Sequence, residues 1–145
     1  MFTSRKTVVT GGNKLKDDFC VNFDGADDMI DLGSISGDLR LSGSNGAIIA
    51  WINPTLTGDE YQRLVDKSDG SNGANGYALF IKKDGSITGN MDGTAKITTP
   101  TGVVVADKWQ HLVWTWNGTT QYAYVNGVQV QATNNVNTPP SETTS

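Results

Sequence analysis

Apolar side chains recur at every second position along much of this chain, in segments too short for a helix. In "FCVNF", Phe19, Val21 and Phe23 share one side; in "AIIAWIN", Ile48, Ala50 and Ile52 oppose Ile49, Trp51 and Asn53. A period of two is that of a strand, whose successive side chains point to opposite faces. "WQHLVWTWNG" sets Leu112, Trp114 and Trp116 on one face and Trp109, His111, Val113 and Thr115 on the other, which predicts a central strand covered on both sides. Helical periodicity is almost absent.

Gly, Asn and Asp punctuate these segments. "YALFIKKDGSITGNM" holds Asp84 and Gly85 between two apolar runs, and "YAYVNGVQV" holds Asn126 and Gly127 in the same role. Both pairs predict hairpins with type I′ turns, because both central residues of that turn need positive φ. Short strands joined by such turns predict an all-β, antiparallel sandwich. The chain divides into a polar N-terminal arm (1–16), the β domain (17–133) and a Pro, Ser and Thr tail (134–145) too poor in apolar surface to order itself.

Composition narrows the classes. At 145 residues the chain is the size of one domain, able to bury roughly 68 to 70% of the surface exposed when unfolded. A net charge of -4 and 18% charged residues give no basic footprint for nucleic acid. No apolar run approaches the roughly 18 residues of a membrane-spanning helix. "MFTSRKTVVTGGNKLKDD" has basic residues with no apolar run after them, so synthesis without a classical signal peptide is expected. Cys20 is the single cysteine, which excludes an intrachain disulfide, and its alternation with Phe19 and Val21 predicts a packed thiol.

Four segments, "VNFDGADDMIDLG", "GAIIAWINP", "GYALFIKKDGSI" and "WQHLVWTWNGTTQYAYVNGVQV", resemble in that order the laminin G-like branch of the concanavalin A-like lectin/glucanase superfamily. The resemblance spans about residues 18–132. It is most specific in the last segment, where Trp109, His111, the corner at 115–118 and the turn at 124–127 fall at the family's spacing. It implies a jelly-roll β-sandwich of two antiparallel sheets, one of them curved. Members usually continue with a further strand pair that closes near the N-terminal strand. Here a polar tail follows, so the closing strand is expected from the chain's own arm, from a neighbouring subunit or from sequence outside this stretch.

Hydrolases of that superfamily carry paired acidic residues on a strand, since retaining hydrolysis needs an acid and a nucleophile about 5 Å apart. The two glutamates, Glu60 and Glu142, fall in a loop and in the tail, and no enzyme is expected. His111, the single histidine, reads as a neutral core residue with one ring nitrogen hydrogen-bonded, not as a catalytic base. Two readings of the acidic run stand. Asp24, Asp27 and Asp28 offer oxygens to calcium, as relatives with calcium at the sandwich rim imply, although their spacing is not that of an EF-hand. Alternatively, Asp24 or Asp28 caps main-chain N–H groups in a solvated turn around Gly25. No other cofactor is expected. The loop "DKSDGSNGANG" reads as a turn without a calcium-roll repeat, and the sequon at Asn117 as a strand corner.

The fold invites a sugar site. A pyranose stacks its apolar face on an aromatic ring while Asn, Asp and Gln meet its hydroxyls, which makes Trp51, Tyr77, Tyr122 and Tyr124 the candidate platform. Two functions follow. One is a non-enzymatic virion surface or structural domain, such as a bacteriophage head decoration, fibre or tail accessory. Its partners are other virion proteins or further copies of itself, with weak adhesion to host polysaccharide multiplied by copy number. The other is a carbohydrate-binding module of a secreted or cell-surface protein. Neither calls for nucleic acid or membrane insertion.

Overall fold

A computed structural model describes residues 20–31, 41, 45–58, 60–68, 73 and 76–134. The arm at 1–16, Phe19, Asp69, Glu142 and the tail from 135 lie outside the described residues. The chain divides into two compact units, Met1–Ser36 and Gly37–Ser145.

In the first unit, residues 20–31 form no strand and are exposed, contrary to the reading of "FCVNF". Cys20 is likewise exposed and free rather than packed. Alternation over a few residues fits any extended segment, and a strand needs a ladder partner as well; none pairs with 20–23 among the described residues.

The second unit holds β1 (Asn45–Ile52), β2 (Tyr61–Lys67), β3 (Tyr77–Lys82), β4 (Ile87–Met91), β5 (Thr94–Thr98), β6 (Gln110–Asn117), β7 (Gln121–Val125) and β8 (Val128–Thr133). They build two antiparallel sheets, β1-β6-β7-β8 (sheet A) and β2-β3-β4-β5 (sheet B). The chain thus leaves sheet A after one strand, completes sheet B as a meander and returns. This is the all-β sandwich that the alternation and turn residues predict.

Turn chemistry sets the registers. Asn126 and Gly127 have φ of 51° and 80°, the type I′ geometry expected of them. Asp84 and Gly85 differ, since only Gly85 has positive φ, at 77°. The Gly85 N–H donates to Lys82 O and the Lys82 N–H to Ser86 O, each at 2.9 Å, a three-residue connection with a glycine bulge. Asp84 is held by its side chain instead, Oδ1 accepting from the Ser86 N–H at 2.8 Å and the Ser86 hydroxyl at 2.6 Å. Asp92 and Gly93, with φ of 47° and 70°, supply a type I′ turn between β4 and β5.

The core draws on both sheets: Leu79, Ile81, Ile87, Met91 and Ile97 from sheet B, and Ile48, Leu112, Trp114, Trp116, Ala123 and Val125 from sheet A. Trp114 is its largest fully buried side chain. Its indole lies where a Cβ on Gly89 would come within 2.6 Å of the ring, so glycine at 89 is what lets the sheets approach. Its Nε1–H donates to the buried Gln121 Oε1 at 2.7 Å, which meets the requirement that a buried donor find an acceptor. Gln131 and Thr133 of β8 donate side-chain hydrogen bonds to the Thr98 and Lys96 carbonyls, both at 3.0 Å. The sheets are thereby tied along the β5–β8 side.

Candidate functional site

Alternation in β6 sends Leu112, Trp114 and Trp116 into the core and leaves His111, Val113 and Thr115 half-buried on the outer face of sheet A. The expectation that this strand is covered on both sides therefore fails. Register places Trp51 beside His111, Ile49 beside Val113 and Ala47 beside Thr115. Val113 in turn faces Tyr124 and Thr115 faces Tyr122, while Tyr122 and Tyr124 meet Ala132 and Gln129 of β8. Three rows result across the sheet, and Ile49 and Trp51 are large apolar side chains open to solvent, at 62% and 60% exposure.

The rings on this face stand in loose contact. Trp51 and His111 have centroids 5.1 Å apart at 42°, and Tyr122 and Tyr124 are 6.4 Å apart at 32°. His111 is thus a half-buried surface residue against Trp51, not the core histidine that sequence predicts. Its strand end is fixed from the main chain: the His111 N–H donates to Asn126 Oδ1 at 2.9 Å and the Asn126 N–H to His111 O at 2.8 Å. The Tyr124 hydroxyl donates to Gln129 Oε1 over a long 3.4 Å. The Thr115 hydroxyl is committed to Gly46 O at 2.9 Å.

Tyr77 does not join the platform. It lies on β3 in the other sheet, 5% exposed and part of the core, and burial pushes its phenol pKa above the ordinary value. A ring sealed between sheets offers no face to a sugar. Conversely, the same face holds Ile49 and His111, which are neither Trp nor Tyr; the parity that selects Trp51 selects both of them.

Charge separates the two sheets completely. No residue of β1, β6, β7 or β8 is Asp, Glu, Lys or Arg, whereas sheet B carries Arg63, Asp66, Lys67, Lys82 and Lys96. Those charges largely serve one another or the aromatic rings of sheet B. Arg63 Nε donates to Asp66 Oδ2 at 2.9 Å while its guanidinium lies 5.4 Å over the Phe80 ring. Lys83 pairs with Glu60 at 3.2 Å, so that glutamate sits in a surface ion pair.

In the first unit Asp24, Asp27 and Asp28 bring carboxylate oxygens within 4.8 Å of one another, all exposed. The Ala26 N–H donates to Asp24 Oδ1 and the Asp24 N–H to Asp28 Oδ2, each at 2.9 Å, around Gly25 at φ 82°. This is the capped turn of the second reading. Calcium takes six to eight oxygens, and three exposed carboxylates, two of them already accepting main-chain bonds, form only part of such a shell. In the 66–76 loop, Asp66 Oδ1 accepts from the Ser68 hydroxyl at 2.6 Å. Asn117 turns a corner, its N–H donating to Thr120 O at 3.1 Å.

A β-sandwich with an open aromatic face fits a carbohydrate-binding or adhesion-type role. A family model described as the concanavalin A-like lectin/glucanases superfamily, of laminin G type, matches residues 24–145, and the chain belongs to that family. No curated protein and no solved structure matches it. The superfamily spans glucanases as well as domains without catalysis.

Proposed function

We propose that the chain is a non-enzymatic adhesion domain that takes a neutral glycan on the outer face of sheet A. The observation that supports this best is the exposed ring of Trp51 in a face of Ile49, His111, Val113, Tyr122 and Tyr124 that contains no charged residue. The apolar C–H face of a pyranose stacks on such rings. The exposed side chains of Asn126 and Gln129 border Tyr124; their oxygens accept from the His111 N–H and the Tyr124 hydroxyl, and their amide NH2 groups are the donors this edge offers to hydroxyls. The four strands of this face hold no Lys or Arg for an anionic glycan and neither of the carboxylates that hydrolysis needs.

The test is a glycan array probed with the multimerised chain, spanning neutral, sulfated and sialylated glycans, in calcium and in EDTA. Neutral hits equal in both buffers are expected, reduced about tenfold by Trp51→Ala, the loss of one well-stacked ring. Binding confined to anionic glycans, binding that requires calcium, or indifference to Trp51→Ala overturns the reading.

The setting we propose is a virion surface, where many copies turn a weak site into firm attachment to host polysaccharide. Support comes from the make-up of the chain, whose single cysteine makes no intrachain disulfide. Mass spectrometry of purified particles is expected to find the chain in many copies. Recovery from the culture fluid alone, free of particles, points to a secreted module instead.

A further inference from the structure

β1 is the open edge of sheet A: among the described residues it pairs with β6 alone. Which of its backbone groups face outward follows from the other side of β6. His111 O accepts from the Asn126 N–H, and the Asn117 N–H donates to Thr120 O, so odd-numbered residues of β6 aim their backbone groups at β7. Backbone direction alternates along an antiparallel strand. Gln110, Leu112, Trp114 and Trp116 therefore aim at β1, where they face Ile52, Ala50, Ile48 and Gly46. The N–H and C=O groups of Ala47, Ile49 and Trp51 are left pointing away from the sheet.

Soluble proteins protect such edges with lysines, prolines or inward charges. β1 reads NGAIIAWI and has none of them, and no charged residue occurs from 41 to 58. The side chains along it alternate in size in a way that complements the same strand run backwards. With Ile49 opposite its own copy, Ala47 meets Trp51 on the outer face, while Gly46 meets Ile52 and Ile48 meets Ala50 on the inner face, a small residue against a large one each time. Residues that share a cross-strand pair also share a parity, so the outward backbone groups of one copy meet those of the other.

We propose that two copies of this chain pair antiparallel through β1 about a two-fold axis at Ile49, joining their A sheets into one of eight strands. Such an interface is isologous, the same patch serving both partners. Its lack of charge matters at the axis, where any ionic side chain meets its own like. The pairing lays two aromatic faces side by side, but it rests on the edge geometry alone and stands or falls independently of any glycan.

Sedimentation of the full chain over a concentration series tests it. A reversible monomer–dimer equilibrium is expected. Ile49→Lys puts two like charges directly opposite each other and raises the dimer dissociation constant more than about tenfold. Ile49 is 62% exposed, so near-UV circular dichroism and Tm, read at concentrations where both chains are monomeric, stay at their wild-type values. Val128→Lys, at an exposed position on the far strand, leaves the equilibrium unchanged. Amide hydrogen exchange reads the register: the Ala47, Ile49 and Trp51 N–H groups gain protection as concentration rises, whereas those of Ile48 and Ala50 are protected throughout. A chain still monomeric near about 1 mM overturns the proposal, as does a dimer indifferent to Ile49→Lys. Protection of the three outward amides in the monomer shows that the chain covers its own edge, and that result overturns it too.

Discussion

The two sheets of this sandwich use the same backbone arrangement for opposite ends. In sheet B, β3 and β4 are buried on both faces; Tyr61 meets the ring of Phe80 edge-on at 5.8 Å and Arg63 lies over it. In sheet A only the inner face is buried, and the outer one presents Ile49 and Trp51 to solvent. Charge follows the reverse order, present in sheet B and absent from sheet A. The sheet with the drier middle carries the solubilising groups, and the sheet that needs them for solubility has none. An exposed apolar face without charge is a surface to be covered, so stability resides in the core and the middle of sheet B, and the proposed glycan site lies on the outside of sheet A.

Tryptophan substitutions break that contrast most directly. Trp114→Ala is expected to cost about 3 to 5 kcal/mol, the cavity plus the lost burial, whereas Trp51→Ala changes stability by less than about 0.5 kcal/mol while removing the ring on which the proposed glycan binding rests. Chemical denaturation of both variants measures the difference; equal losses would merge the two faces into one structural role.

Gly89→Val probes how closely the sheets approach. Its Cβ has the Trp114 ring at 2.6 Å, and overpacking of this kind costs about 1 to 3 kcal/mol. Gln121→Leu removes the acceptor of the Trp114 N–H and leaves a buried donor unpaired, again at about 1 to 3 kcal/mol, read as a lower midpoint in urea with an unchanged slope.

Tyr77 sharpens the comparison through pH. Burial raises its pKa in the folded state above the usual 10.0. Above that value the unfolded chain gives up the phenolic proton first and the folded chain holds it, so stability is complete below pH 10 and falls as pH rises through the folded pKa. Tyr77→Phe is expected to flatten that alkaline slope.

The smallest effects belong to the surface turns. Hydrogen bonds from the Ser86 hydroxyl and N–H hold the Asp84 carboxyl below its usual 3.8. Ser86→Ala moves it upward in an NMR titration, and the turn's contribution to stability, present above that range, fades as pH falls through the folded pKa. Calcium against EDTA is expected to leave Tm unchanged, because the turn at Asp24 and Asp28 closes on main-chain donors; a calcium-dependent rise would restore the ligand reading of that run.

The sequence by itself determined β1 and β6, the β3–β4 and β7–β8 hairpins, the Asn126-Gly127 turn and the sorting of β6 into two faces, because side-chain parity and positive φ are properties of a residue and its immediate neighbours. It also held the charge-free character of sheet A, legible once the strands of that sheet are known to lie together. Only the tertiary structure decided that Tyr77 is sealed while Trp51 is open, that His111 leaves the core to rest on Trp51, and that Asp84 turns differently from Asn126. Parity states which residues share a face and is silent on whether another sheet lies over it. Burial is set by what packs from elsewhere in the chain, and that is information no local pattern contains.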